Sequence, residues 1–123
     1  VTLRGRLASD QLPAELEAAD IFCLPSLAEG FPLSMLQAMA SGLPVITTKE
    51  AGAADIIEPG VEGLVVPSKD SAGLSAVLGQ LVSDAEQRRQ MSIAARRRVE
   101  QGFSWDDYID RSIAAYHVLA ATT

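Results

Sequence analysis

The sequence has little of what metal, disulfide and nucleophile chemistry is usually built from. Its 123 residues include one cysteine, Cys23, and one histidine, His117. An internal disulfide is therefore excluded, and no Cys/His cluster offers metal-ligand spacing. A lone cysteine fits a reducing compartment such as the cytoplasm. Positive charge is also short, with 10 Lys and Arg against 16 Asp and Glu and a net charge of −6. That balance argues against a nucleic-acid binder that works by neutralising phosphates. There is no internal repeat, no low-complexity linker, and no basic-then-apolar leader after Val1. A start at Val1 is expected to reflect processing or a cut from something longer.

What is present reads as one packed domain, since 48% of the residues are hydrophobic and 21% charged. Gly30 to Thr48 is a run of 19 residues without a charge. It does not read as a membrane span, because Pro32, Gly42 and Pro44 break it and its Ser, Gln and Thr side chains need partners in lipid. A buried helix followed by a buried strand is the better reading.

Short apolar runs rich in β-branched residues predict strands at Val1–Arg4, Ile21–Leu24, Pro44–Thr47 and Leu64–Val66. Helical stretches lie between them. Asp10 is placed to cap a helix through Gln11-Leu12-Pro13, with Leu16 and Ala19 at helical spacing. Pro32 suits a first helical turn, and Leu33, Leu36, Met39 and Ala40 recur at helical spacing until Gly42 ends the pattern. A short helical piece is expected over Ala54–Glu58, stopped by Pro59-Gly60. From Ser68 or Asp70 onward only helices follow: one to about Val82, one from Asp84 to about Gln101, and a last one from Ser104. The last carries Trp105, Tyr108, Ile109, Ile113, Tyr116 and Leu119, a face expected to pack on this domain or on a partner domain. The fold class is thus α/β, a Rossmann-like parallel sheet of about four strands flanked by helices, with a helical tail.

Ligands in such sheets bind outside the carboxyl ends of the strands. The segment Pro25-Ser26-Leu27-Ala28-Glu29-Gly30-Phe31-Pro32 occupies such a place. Gly30 allows close backbone approach, and the helix from Pro32 offers free N–H groups and a positive dipole end suited to phosphate. Glu29 adds a carboxylate that accepts hydrogen bonds from sugar hydroxyls, and Gln37 follows eight residues later. A nucleotide sugar suits this layout. Taken alone, a Glu-Gly turn before a helix is also an ordinary loop and cap.

Several blocks together sharpen the choice: Val1-Thr2-Leu3-Arg4-Gly5, Ala19-Asp20-Ile21-Phe22-Cys23-Leu24-Pro25-Ser26, Glu29-Gly30-Phe31-Pro32 and Gln37 to Ile46. Glu62 to Pro67 and Phe103-Ser104-Trp105 continue the series. In this order the chain resembles the family 4, group 1 glycosyltransferases of the GT-B fold, in the later part of their carboxyl-terminal donor-binding domain. The resemblance covers nearly all of residues 1–123, and implies that the acceptor-binding amino-terminal domain and the first strands of the donor domain are absent. It also implies transfer from a UDP- or GDP-linked sugar with retention of configuration, no metal and no other cofactor. The family's motif is two glutamates separated by seven residues. The first matches Glu29, the expected catalytic-site contact to the donor sugar. Backbone N–H groups of Gly30, Phe31 and Leu33 would face the diphosphate, and Leu7 matches a base contact. The second glutamate, a ribose ligand, falls on Gln37, whose neutral amide makes a weaker bond than a carboxylate. Ala51 replaces one of the family's two glycines in the loop Glu50-Ala51-Gly52-Ala53-Ala54-Asp55, and Asp55 stands for an acid to which no catalytic role is assigned.

The family's diphosphate-binding arginine and lysine precede Val1, and Arg4 and Arg6 do not match them, so this chain alone is expected to be inactive. The alternative is a non-catalytic nucleotide-sugar-binding or interaction module with a degenerate ribose site, for which Gln37 speaks. A sugar epimerase of the same fold fits less well around Glu29. Cys23 reads as a buried structural thiol, and His117 as packing or surface. Arg88, Arg89, Arg96, Arg97 and Arg98 point several ways on a helix and read mainly as a solvated face. Peripheral association with anionic lipid at the inner face of a membrane is a lesser reading of the same charges.

Overall fold

The computed structural model of the chain describes residues 1–52 and 56–121. Helix α1 (Leu12–Glu17) precedes strand β1 (Phe22–Leu24), helix α2 (Leu33–Ala40), strand β2 (Val45–Thr48) and strand β3 (Gly63–Val66). Helices α3 (Ser71–Ser83), α4 (Ala85–Glu100) and α5 (Trp105–Ala121) complete the chain. The three strands are parallel, in the order β1-β2-β3. Phe22 pairs with Val45, and Val45 in turn with Gly63.

The central strand explains the apolar run. All four residues of β2 are buried, because helices cover both faces of the sheet. On one face Val45 packs with Met35, Leu36 and Met39 of α2, with Ile56 and Ile57, and with Ala95 of α4. On the other, Ile46 packs with Leu81 of α3 and Met91 of α4, joined by Ile21, Leu64 and Leu74. Truncating a wholly buried methionine such as Met39 costs about 2–5 kcal/mol. Thr47 and Thr48 lie in the same buried strand, and their hydroxyls are satisfied by β1 and the loop that follows it. Thr47 Oγ1 donates to the Leu24 carbonyl at 3.2 Å, and Thr48 Oγ1 donates to the Ser26 carbonyl.

Local signals set the helix ends. Helix α2 closes with Gly42 at φ +78°, whose N–H donates to the Met39 carbonyl while the Leu43 N–H donates to that of Ala38. This two-bond closure needs a residue without a Cβ penalty in the left-handed region. Asp70 caps α3 by accepting the Gly73 N–H at 2.8 Å, and Asp84 caps α4 by accepting the Gln87 N–H at 2.8 Å. Ser104 and Asp107 form a reciprocal cap on α5: the Asp107 N–H donates to Ser104 Oγ, and the Ser104 N–H to Asp107 Oδ2.

Four expectations are corrected. Val1–Arg4 forms no strand, so the sheet has three strands rather than four; Val1 and Leu3 are exposed. In a 3-2-1-4 strand order two strands would separate that segment from β1, and none occurs among the described residues. Arg4 instead makes an ion pair with Glu15 of α1. Asp10 does not cap α1, because Gln11 stands at the cap position without a side-chain cap bond. Cys23 is exposed, since β1 is an edge strand and the helices cover that face only as far as Ile21 and Ile46. Of the two packings open to the apolar face of α5, the one against this domain leaves the helix largely uncovered, since none of its residues is buried. Of the helix expected over Ala54–Glu58, residues 54–55 lie outside the described residues, and Ile56–Glu58 is not helical.

Candidate functional site

The carboxyl end of β1 delivers the chain into the loop Pro25–Pro32, and the neighbouring strand holds that loop down. The Thr48 hydroxyl grips the Ser26 carbonyl, and the Ser26 hydroxyl donates to Glu29 Oε2 at 3.0 Å. Glu29 then pairs with Ala51 as an isolated parallel bridge, with the Gly52 N–H donating to the Glu29 carbonyl at 3.2 Å. Gly52 is required there. A Cβ at position 52 would lie 2.2 Å from the Gly30 carbonyl oxygen, so the two loops meet backbone to backbone.

The sequence-derived residues fall around this loop. Glu29 and Gly30 are exposed, and the Gly30 and Phe31 amides donate to no group among the described residues. Pro32 stands at the cap of α2 and is buried. The Leu33 amide donates to the Phe31 carbonyl at 3.0 Å, while the Met35 and Leu36 amides donate to the Pro32 carbonyl. The first-turn amide with no acceptor among the described residues is that of Ser34, which sequence reasoning did not single out. Gln37 is exposed one turn past Leu33 on the same side of α2. A groove of about 510 Å³ runs between α2 and the start of α5, lined in part by Phe31, Leu33, Gln37, Trp105, Tyr108 and Arg111. A second cleft of about 230 Å³ lies across the ends of β2 and β3, bounded by Leu27, Thr48, Lys69 and Asp70 among others. Leu7 is half-buried and lines neither. Asp55 lies outside the described residues.

The helix end and the loop together favour an anion. Unpaired N–H groups at an α-helix N-terminus carry partial positive charge, and a carboxylate beside them takes the hydroxyls that accompany a sugar phosphate. Among the described residues no three His, Cys, Asp or Glu side chains are gathered to hold a metal ion.

The remaining candidates have structural occupations. Burial of its surroundings pushes the Cys23 thiol up, so it stays protonated and a poor nucleophile despite its exposure. Arg88 donates to the Leu81 and Val82 carbonyls, closing the end of α3. Arg89 pairs with Glu86, whose carboxyl is drawn down to about 2 by that contact first and by Gln90 second. Arg96 pairs with Glu100, and Arg98 Nε donates to the Ile56 carbonyl at 2.9 Å. Four of the five arginines proposed as a lipid-facing cluster are thus engaged within the chain. His117 is exposed on α5. Among the described residues no helix is long and apolar enough to cross a membrane.

Three parallel strands, with a loop leading into a helix at their carboxyl edge, define part of a doubly wound α/β domain. The chain belongs to the group 1 glycosyl transferases: the model of that family matches residues 1–98. Its structure matches sucrose-phosphate synthase from Thermosynechococcus elongatus with a TM-score of 0.88 and 29% identity, covering 100% of this chain and 31% of that one. It also matches the C-terminal domain of a group 1 glycosyl transferase from Francisella tularensis, with a TM-score of 0.77 and 30% identity over 84% of this chain and 53% of that one. The architecture is that of the C-terminal domain of the GT-B fold. Among curated relatives, it is 36% identical over 86% of its length to a GDP-mannose-dependent monoacylated α-(1-6)-phosphatidylinositol monomannoside mannosyltransferase of Corynebacterium glutamicum, covering 29% of that protein. The chain spans about 27% of the length of the first curated relatives it matches.

Proposed function

We propose that the chain forms part of the donor-binding domain of a glycosyltransferase that moves a sugar from a UDP- or GDP-linked donor to an acceptor with retention of configuration. One observation supports this most strongly. The Glu29 carboxylate, oriented by Ser26, is followed by the Gly30 and Phe31 amides, which donate to no group among the described residues, and by α2 with Gln37 exposed one turn past Leu33. In this reading Glu29 accepts hydrogen bonds from the donor sugar's hydroxyls. The Gly30 and Phe31 amides and the positive end of α2 hold the diphosphate and stabilise the charge it gains as it leaves. Leu33 adds its amide if that group turns from the Phe31 carbonyl, and Leu7 contacts the base. Gln37 takes the ribose with one neutral acceptor. The GDP-mannose dependence of the Corynebacterium relative supports a nucleotide-sugar donor. Transfer further requires an acceptor-binding domain, so residues 1–123 alone bind donor without turning it over. A cytoplasmic place of action, in keeping with the unpaired Cys23, belongs to the same proposal, with any contact to a membrane peripheral.

A second reading is a nucleotide-sugar-binding module without catalysis, and the specific observation for it is Gln37 in place of a carboxylate. Calorimetric titration of the chain and of Gln37→Glu with UDP- and GDP-sugars tests the donor site that both readings share. A charge-assisted bond exceeds a neutral one by about 1 kcal/mol, so Gln37→Glu gains about fivefold in affinity if position 37 meets the ribose. Equal affinities for both chains would remove position 37 from the site. Binding by neither would overturn the donor-site reading of this chain.

A further inference from the structure

The loop that carries Gly30 is also held from the far end of the chain. Phe31 stacks on Phe103, with ring centroids 6.3 Å apart and planes inclined at 29°. Phe103 sits in the turn between α4 and α5, half-buried, with part of its ring against the cluster of Met35, Leu36 and Val45. Two cations face the same ring: the Arg98 guanidinium lies 5.7 Å and that of Arg111 5.9 Å from its centre. Both are fixed in turn, Arg98 on the Ile56 carbonyl at 2.9 Å and Arg111 on the Asp107 carbonyl at 3.2 Å. Phe103 is thus immobilised on three sides, and Phe31 leans on it while remaining 57% exposed. Core packing alone does not call for this arrangement, because a leucine at 103 would fill the inner contact. The aromatic ring serves the outer one.

We propose that Phe103 is a positioning residue for the donor loop: by stacking on Phe31 it fixes the direction in which the Gly30 and Phe31 amides point. The identity of the anion those amides meet rests on the donor-site reading above, whereas the positioning itself can be read without ligand. A stacked aromatic pair with cations over one ring adds to what area burial alone provides, enough to select one loop conformation from several.

The test uses the ¹⁵N-labelled chain with Phe103→Leu, which keeps an apolar side chain against the core, and Phe103→Tyr, which keeps the ring. Phe103→Leu is expected to lower the heteronuclear NOE of the Gly30 and Phe31 amides and move their shifts, with residues 45–48 and 63–66 unchanged; Phe103→Tyr is expected to restore both. If Phe103→Leu also disturbs the strands, Phe31→Leu removes the same stack from the exposed side and carries the same expectation for Gly30. With UDP and GDP as probes, Phe103→Leu weakens whichever nucleotide the parent chain binds by about three- to tenfold, and Phe103→Tyr recovers it. Wild-type order at Gly30 and Phe31 in Phe103→Leu with intact strands overturns the proposal, as does loss of order in Phe103→Tyr. A parent chain that binds neither nucleotide overturns the donor reading instead, and the relaxation result then decides the positioning role alone.

Discussion

Gly52→Ala separates the integrity of the loop from the integrity of the fold. The added Cβ would lie 2.2 Å from the Gly30 carbonyl oxygen and 3.4 Å from that of Glu29, whereas real Cβ contacts do not fall below 3.0 Å. Both neighbours are backbone, so no flexible side chain absorbs the clash. The exposed loop must move away from β2 by about 1 Å, and the Gly52–Glu29 hydrogen bond is lost, at a cost of about 1 kcal/mol. For a chain of this size that lowers Tm by only about 3–6 °C. Donor binding responds more strongly, because displaced Gly30 and Phe31 amides lose bonds to a charged group worth about 1.5–3 kcal/mol each, an affinity loss of at least tenfold. Gly63→Ala is the control. Its Cβ would lie 2.1 Å from the Val45 carbonyl oxygen inside the buried sheet, where overpacking costs about 1–3 kcal/mol or more and spreads through the core. Circular dichroism melts and nucleotide calorimetry on the two variants supply the assay. A Gly52→Ala chain that keeps parental nucleotide affinity refutes the backbone-on-backbone account of the loop; one that melts as low as Gly63→Ala refutes its independence from the core.

Other expectations follow from the caps and closures. Asp70→Ala removes the acceptor for the Gly73 amide and is expected to cost about 1 kcal/mol of stability, seen in urea unfolding as a lower midpoint with an unchanged slope. Gly42→Ala forces a side chain into φ +78° with its Cβ 3.2 Å from Ser92 Oγ, and is expected to cost about 1–2 kcal/mol in the same measurement. The Ser104 hydroxyl first, and its amide second, hold the Asp107 carboxyl below the usual aspartate range. A depressed carboxylate stabilises α5 above its unfolded-state pKa and releases that contribution as pH falls through the folded one. Helix α5 is therefore expected to fray at its first turn below about pH 4, followed by the Ser104 amide signal, and Asp107→Asn is expected to abolish that pH dependence.

Much of the fold was legible because its signals are local. Gly42, Asp70 and Asp84 each mark a helix end by backbone or side-chain chemistry that acts within a few residues. Val1–Arg4 was misread because β-branched composition reports fitness for a pleated surface, whereas pairing depends on a neighbour that composition does not reveal. Cys23 was misplaced for a related reason: an apolar strand suggests cover on both faces, but the reach of α3 and α4 over an edge strand is a tertiary fact. The stripe from Trp105 to Leu119 announced a helix correctly but not what covers it. At the site, Glu29 and Gly30 could be found because a strand's carboxyl end leading into a helix is a recognisable place. The contacts that hold them could not, since Gly52 against Gly30 and Phe103 against Phe31 join distant parts of the chain.

The central claim is that the loop from Glu29 and the first turns of α2 receive the donor. Titration of the ¹⁵N-labelled chain with UDP- and GDP-linked sugars, read amide by amide, tests it most directly. The largest shifts are expected at Gly30, Phe31 and Ser34, extending to Gln37, with either nucleotide sugar that binds. Shifts confined to the other cleft, at Thr48, Lys69 and Asp70, or no shift anywhere, would contradict it.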